Sequence, residues 1–274
     1  MDASETTTVS LNLEGGVARI RFARSGRRNA FNEVMSAELR WVVEGLREDP
    51  RVAALVLEGD GEHFMAGADV GMLHDWASLA PEALENRLRR GFSPTMLEQL
   101  PYPVVAAVDG FALGMGFEIA LAADLRVATT RAVFGLPEVT LGLMPGAGGT
   151  QRLPRLIGAT RATEMAMTGR RVDADTAEAW GLVNQVVDVS QLNEVVSEIV
   201  GTFRELPPQS LAQIKACLGA TRNHSLTDGL ELELKRFVAT VVGPEAAEGT
   251  TAFLEKRSPQ FRQTSDWDVR GTST

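Results

Sequence analysis

The chain is poor in cysteine: Cys217 is the only one in 274 residues. A single thiol excludes an intramolecular disulfide framework and points to a reducing compartment. Long hydrophobic runs are missing too, and none reaches the roughly 18 residues that a membrane-spanning helix needs. The opening residues, MDASETTTVS, carry neither a basic region nor an apolar core. No signal or transit peptide is expected there, and the expected location is the cytoplasm. Net positive charge is absent, the formal balance being −9. That argues against nucleic acid or an anionic membrane as partner, while leaving room for a local basic patch. Histidine is scarce: His63, His74 and His224 are too scattered for a metal motif, so no metal is expected. The Gly-x-Ser-x-Gly elbow of the usual α/β-hydrolase is missing. Trp41, Trp76, Trp180 and Trp267 form no stacking array for nucleic acid. No low-complexity segment or clean repeat is present.

What is present is an ordinary supply of core, with 44% hydrophobic residues. The length suits one large domain or two small ones. Short β-type runs come first, at Ala18–Ala23, Val52–Glu58, Val104–Val108 and Leu125–Ala128. The second and third are almost continuously apolar, as strands buried on both faces are. A helical pattern over Ser36–Glu48 lies between strands, with Ser36 as expected N-cap. Alternating strand and helix predicts an α/β arrangement. Beyond about Thr160 the pattern turns helical, over 161–180, 190–206, 209–219, 226–241 and 244–256. The expected division is a core over 1–195, a helical region over 196–257 and a loose tail over 258–274. Cys217 falls in an amphipathic helix and is expected to serve packing.

Three segments carry candidate chemistry. The first is GFALGMGFEIALAADLRVA, where Glu118 stands among aliphatic residues behind Gly114 and Gly116. A helix is expected to start near Gly114. Glycines there let a ligand approach the main chain, and the first N–H groups of a helix attract negative charge. An anion or oxyanion site is one reading. The other is a tight strand–helix connection, with Glu118 paired to an arginine such as Arg126. The second segment, FGLPEVTLGLMPGAGGTQRLPRLIG, repeats the theme with Glu138. It is not a P-loop, because the Lys-Ser/Thr pair is missing, nor a dinucleotide fingerprint, because Gln151 holds the third glycine's place. If the two carboxylates converge, their environments can make one an acid and the other a base. Spacing alone does not show convergence. The third segment is FMAGADV, whose Ala66-Gly67-Ala68 leaves backbone N–H groups approachable at a strand end. It is either a simple turn or half of a two-donor site for an enolate oxygen.

FMAGADV, GFALGMGFEIALAADLRVA and FGLPEVTLGLMPGAGGTQRLPRLIG, in that order, resemble the crotonase superfamily, and within it enoyl-CoA hydratase. RRNAFN resembles the family's N-terminal signature and AFLEKR its C-terminal one. The resemblance spans roughly residues 8–260, and the joint pattern is specific where single pieces are not. It implies a spiral of β-β-α units with a helical C-terminal region that makes trimers, often paired into hexamers. It implies acyl-CoA thioester substrates and no metal or redox cofactor. The family's two glutamates match Glu118 and Glu138, and its oxyanion N–H groups match Ala68 and Met115. CoA contacts are implied at Arg28, Ala66, Ala68, Asp69 and Val70. Phe237, Phe253 and Lys256 are implied as further contributors, across a subunit interface if need be. Arg24, Arg27, Arg28 and Lys256 would form the basic patch, whose alternative is a solvated loop. Family members often carry glycine and cysteine where this chain has Met115 and Phe117, so both side chains are expected to reshape the acyl pocket.

The resemblance implies hydration of a trans-2-enoyl-CoA to a 3-hydroxyacyl-CoA, in fatty-acid or related acyl-CoA degradation. A Δ3,Δ2-enoyl-CoA isomerase on the same fold is the alternative, and a non-catalytic CoA-thioester or RNA-binding protein is a third. The retained glutamate pair argues against binding alone, and the acidic charge argues against RNA.

Overall fold

The computed structural model describes residues 6–262. The chain opens with an antiparallel hairpin, β1 (Val9–Glu14) and β2 (Val17–Phe22). Helix α1 (Glu33–Arg47) then buries Met35, Leu39, Val42, Val43 and Leu46 along one stripe. Its N-cap is Asn32, which accepts from the Met35 N–H, and not Ser36. The Ser36 hydroxyl instead accepts the Phe92 N–H at 2.9 Å, one turn inside the helix. Buried Glu38 of α1 accepts the Thr7 and Thr8 N–H groups at 2.8 Å each, which pins the entry to β1.

Next come β3 (Ala54–Gly59), α2 (Val70–Trp76), α3 (Pro81–Arg90) and α4 (Thr95–Glu98). They lead to β4 (Val104–Val108), β5 (Phe111–Leu113), α5 (Met115–Ala122), β6 (Leu125–Thr129) and β7 (Val133–Gly135). A 3-10 turn over Pro137–Leu141 precedes α6 (Gly149–Ile157) and α7 (Ala159–Thr168). Then follow β8 (Arg171–Asp173), α8 (Ala174–Ala179), β9 (Gln185–Val187) and α9 (Leu192–Glu205). The last helices are α10 (Pro208–Ala220), α11 (Leu226–Val241) and α12 (Pro244–Glu255).

Six strands form one sheet in the order β1-β2-β3-β4-β6-β9, parallel except for the first pair. A small sheet runs β5-β7-β8. Each turn of the chain gives one strand to the large sheet, a short one to the small sheet, and then a helix. β4-β5-α5 is such a unit and β6-β7-α6 the next, while Met65 bridges Ala112 to extend the small sheet after β3. This is the expected α/β spiral of β-β-α units. β4 is apolar throughout, and β3 is apolar up to Glu58, which pairs with Arg19 and Arg21 of β2, because neighbours cover both faces.

Three expectations change. The helix expected over 161–180 breaks at Gly169 (φ +68), and Arg171–Asp173 pairs with β7 instead. The boundary at 195/196 falls inside α9, whose Val196 and Val200 are buried with Val56 and Val105 of the large sheet. Of the tail, Gln260 donates its N–H to Glu248 of α12 and Phe261 lies against Gly249, so 258–262 is attached. Residues 263–274, with Trp267, lie outside the described residues.

Candidate active site

β4 ends at Val108, and β5 leads to Gly114, the N-cap of α5. Gly114 has φ +50, and a Cβ there would stand 3.1 Å from Glu138 Oε1. Both facts require glycine where the chain turns into the helix. Every residue of α5 after Met115 is buried, so Glu118 is carried into the interior by an apolar helix, at 2% exposure.

Arg126 does not pair with it. That side chain caps the far end of α5, donating to the Ala120, Ala123 and Leu182 carbonyls. Burial lowers its pKa to about 10. Glu118 Oε1 instead accepts the N–H groups of Ala147 and Gly149, at 2.8 Å each. Gly149 is the first residue of α6. A helix N-terminus does hold an anion, but the helix is α6 and the anion is the chain's own carboxylate. Burial raises the Glu118 pKa, and the two N–H donors and the Arg152 charge oppose that rise.

Glu138 sits on the 3-10 turn, in a different setting. Its Oε2 is buried and has no hydrogen-bond partner. Burial, with the nearby Glu118 charge adding to it, raises its pKa to about 7. Burial thus pushes both carboxylates up, Glu138 to about 7, but only Glu118 has two N–H donors and a guanidinium working to keep it ionised.

One cavity of about 900 Å³ collects these groups, its lining including Ala66, Ala68, Val70, Met115, Glu118 and Glu138. The N–H groups of Ala68 and Met115 donate to nothing among the described residues. Two free donors and two carboxylates therefore share one cavity, which spacing alone had left open.

Other expected site residues are placed differently. Arg28 is left-handed (φ +50), and its carbonyl accepts the Ala66 N–H at 3.0 Å. Its guanidinium lies over Phe111, 5.8 Å from the ring centre. Asp69 caps α2 through the Gly71 N–H and pairs with Arg24 at 3.1 Å. Burial works against its charge, but those partners outweigh it and its pKa falls. Asp69 thus holds the turn, and neither it nor Arg28 lines the cavity. Phe237 and Phe253 are 63% and 83% exposed, and Lys256 ends α12 in a left-handed conformation. Within one chain these three do not reach the cavity. Phe117 is fully buried against Phe134, with ring centres 5.5 Å apart, so of the expected pocket pair only Met115 lines the cavity.

Sequence reasoning missed the far wall, which includes Leu73, Trp76, Leu88, Phe92 and Met144. Half of the residues of α3 are charged and none is buried, so its pattern reads as a solvated face. Among the described residues no three His, Cys, Asp or Glu side chains group as a metal site. No described helix is long and apolar enough to cross a membrane.

Comparison with known proteins gives the family. A family model described as enoyl-CoA hydratase/isomerase matches residues 12–264. Short-chain-enoyl-CoA hydratase of Clostridium acetobutylicum is 36% identical over 257 residues, covering 92% of this chain and 97% of that one. Crotonyl-CoA hydratase of Syntrophomonas wolfei is 34% identical over 254 residues, with the same two shares, 92% and 97%. The crystal structure of an enoyl-CoA hydratase subunit from Geobacillus kaustophilus superposes with a TM-score of 0.88 at 41% identity, covering 94% of this chain and 99% of that one. With matches over nearly its whole length, in sequence and in fold, this chain belongs to the enoyl-CoA hydratase/isomerase family and is one of its enzymes.

Proposed function

We propose that this enzyme is a hydro-lyase acting on enoyl-CoA, adding water syn across a trans-2-enoyl-CoA to give a 3-hydroxyacyl-CoA in acyl-CoA degradation. The observation that carries this reading is the unlike pair of carboxylates in one cavity. Glu118 accepts two N–H bonds, whereas Glu138 keeps a buried oxygen without a partner. Hydration needs a base for water and an acid for carbon at the same moment. In this reading the thioester oxygen sits on the Ala68 and Met115 N–H groups, whose bonds strengthen as negative charge moves onto it. Glu118 takes a proton from water as its oxygen bonds to C3, and Glu138 delivers its proton to C2. No metal or redox group is called for.

CoA would lie along the Ala66–Ala68 turn near Val70 and Arg28, with Asp69 holding the turn through Arg24. Phe237, Phe253 and Lys256 would close over it from a second copy of the chain. We place the helical assembly region after α9, over 207–257, and propose a homotrimer, alone or paired into a hexamer. The support is the apolar surface of α11, where Leu230, Leu234, Phe237 and Val241 are all more than half exposed.

The test incubates purified protein with a panel of enoyl-CoA esters and follows loss of the conjugated thioester absorbance. Loss that depends on both glutamates supports hydration. Double-bond migration that depends on Glu138 alone replaces it with the isomerase.

A further inference from the structure

Arg152 of α6 has only 10% of its side chain exposed, yet the proposed chemistry gives it no task. All three nitrogens of its guanidinium are engaged. Nε and Nη2 grip the two oxygens of Glu98 at 2.9 and 2.8 Å, and Nη2 also reaches the Thr95 hydroxyl at 2.9 Å. Nη1 donates to the Ala147 carbonyl at 2.8 Å. On its other side Glu98 is held by Arg222, in the turn between α10 and α11.

The position of that carbonyl matters. It belongs to the peptide plane joining Ala147 to Gly148. The planes on either side carry the Ala147 and Gly149 N–H groups, and both donate to Glu118 Oε1. Fixing the middle plane orients both outer donors. Nothing can stand between loop and guanidinium either, since a Cβ on Gly148 would lie 1.8 Å from Arg152 Nη1. A buried ion pair is weak evidence for stability, because desolvation cancels much of its attraction. A planar fork that serves a carboxylate and a carbonyl at once is what arginine offers and lysine does not.

We propose that Arg152 is a positioning residue for Glu118, acting through the Ala147 carbonyl, with Glu98 orienting the guanidinium. This rests on the reading of Glu118 as the base. Charged groups facing Glu118 are Glu138 from the 3-10 turn and Arg152 from α6; Glu98 of α4 and then Arg222 stand behind Arg152.

The experiment compares wild type, Arg152→Met, Arg152→Lys and Glu98→Gln in the full-length protein. Isotope-edited infrared titration follows the Glu118 carboxylate, assigned by its loss in Glu118→Gln. Arg152→Met should raise the pH at which Glu118 ionises and lower hydration kcat by about 10–10²-fold, the scale of a misplaced catalytic group. KM should stay within about threefold, since the Ala68 and Met115 donors are untouched. Arg152→Lys should return the Glu118 titration toward wild type while recovering kcat only in part, because it restores charge without the fork. Glu98→Gln, the milder change should Arg152→Met fail to fold, should shift both readouts in the same direction by less. An unmoved Glu118 titration in folded Arg152→Met or Glu98→Gln overturns the proposal, whatever the activity. Wild type that hydrates no enoyl-CoA overturns the functional reading instead, and the titration still decides the role of Arg152.

Discussion

The spiral and the C-terminal helices solve burial in opposite ways. β3, β4 and α5 are covered almost completely by their own chain. α10 and α11 bury no residue, and α12 buries only Ala252. Charged side chains tie the helices to the spiral. Lys215 pairs with Asp124 at 2.7 Å and donates to the Leu97 and Tyr102 carbonyls, and Arg222 meets Glu98. Their apolar residues, Leu234, Phe237 and Val242 among them, are left facing outward. One region is finished by a single chain; the other leaves apolar side chains uncovered, which the proposed assembly would cover. Of the proposed CoA residues that miss the cavity, Arg28 and Asp69 lie in the spiral, whereas Phe237, Phe253 and Lys256 lie in the second region.

The largest effect should come from removing part of the unfinished region. A chain ended before Ser225 lacks α11 and α12, exposing the face of α10 that α11 packs against. It should be aggregated or unfolded in size-exclusion chromatography and circular dichroism. A soluble, active monomer would mean that the helices complete nothing, and the proposed trimer would fall with the comparison.

Next come the carboxylates of the finished region. Glu118→Gln and Glu138→Gln should each lower hydration kcat by about 10²–10⁴-fold, the range of general acid–base catalysis. CoA-ester binding should weaken far less, and the double variant should be much less than multiplicatively worse. The pH profile carries a sign. Glu138 must be protonated to deliver to carbon, so wild-type kcat/KM should fall as pH rises through about 7. Two mild variants, or a rate that climbs through that pH, would remove Glu138 from its role as acid.

How much of this was legible depended on the range of the forces involved. β4 and α11 were read with their present ends because apolar runs and helical spacing are local signals. β5, β7 and β8 are three residues each, too short to show a period, and exist because they pair with one another. Glu118 and Glu138 stood out as carboxylates in apolar surroundings, but only the fold gives one of them two N–H donors at the entry to α6 and leaves the other a buried oxygen without a partner. Phe117 does not join Met115 in the pocket because residues two apart on a helix differ by about 200° in direction. Met115 faces the cavity, and Phe117 faces Phe134.

That misplacement separates pocket from packing. Phe117→Ala should cost about 3–5 kcal/mol in chemical denaturation, as large-to-small changes in a core do. It should leave the order of preferred acyl lengths unchanged. Met115→Ala should do the reverse, shifting the acyl-length profile toward longer chains with stability changed by less than about 1 kcal/mol. A profile that moves with Phe117 and not with Met115 would reverse their places in the site.

The smallest effect tests what the site costs the finished region. An unfolded glutamate has a pKa near 4.5, whereas Glu138 in the fold stands at about 7. Between those values the folded protein keeps a proton that the unfolded chain has released. Stability therefore falls as pH rises from 4.5 to about 7, and the whole deficit is present above that. Glu138→Gln carries no such dependence. At pH 8 it should melt higher than wild type, by about 1–3 °C given that the group is partly solvated. At pH 4.5 the two should melt together, because the wild-type group is then protonated in the fold at no cost. The measurement is calorimetry on the assembled protein at both pH values. A gap of equal size at the two would assign the change to packing around the 3-10 turn. No gain at pH 8 would mean that the buried Glu138 oxygen places no burden on the fold, and the contrast between a settled core and a strained carboxylate within it would not hold.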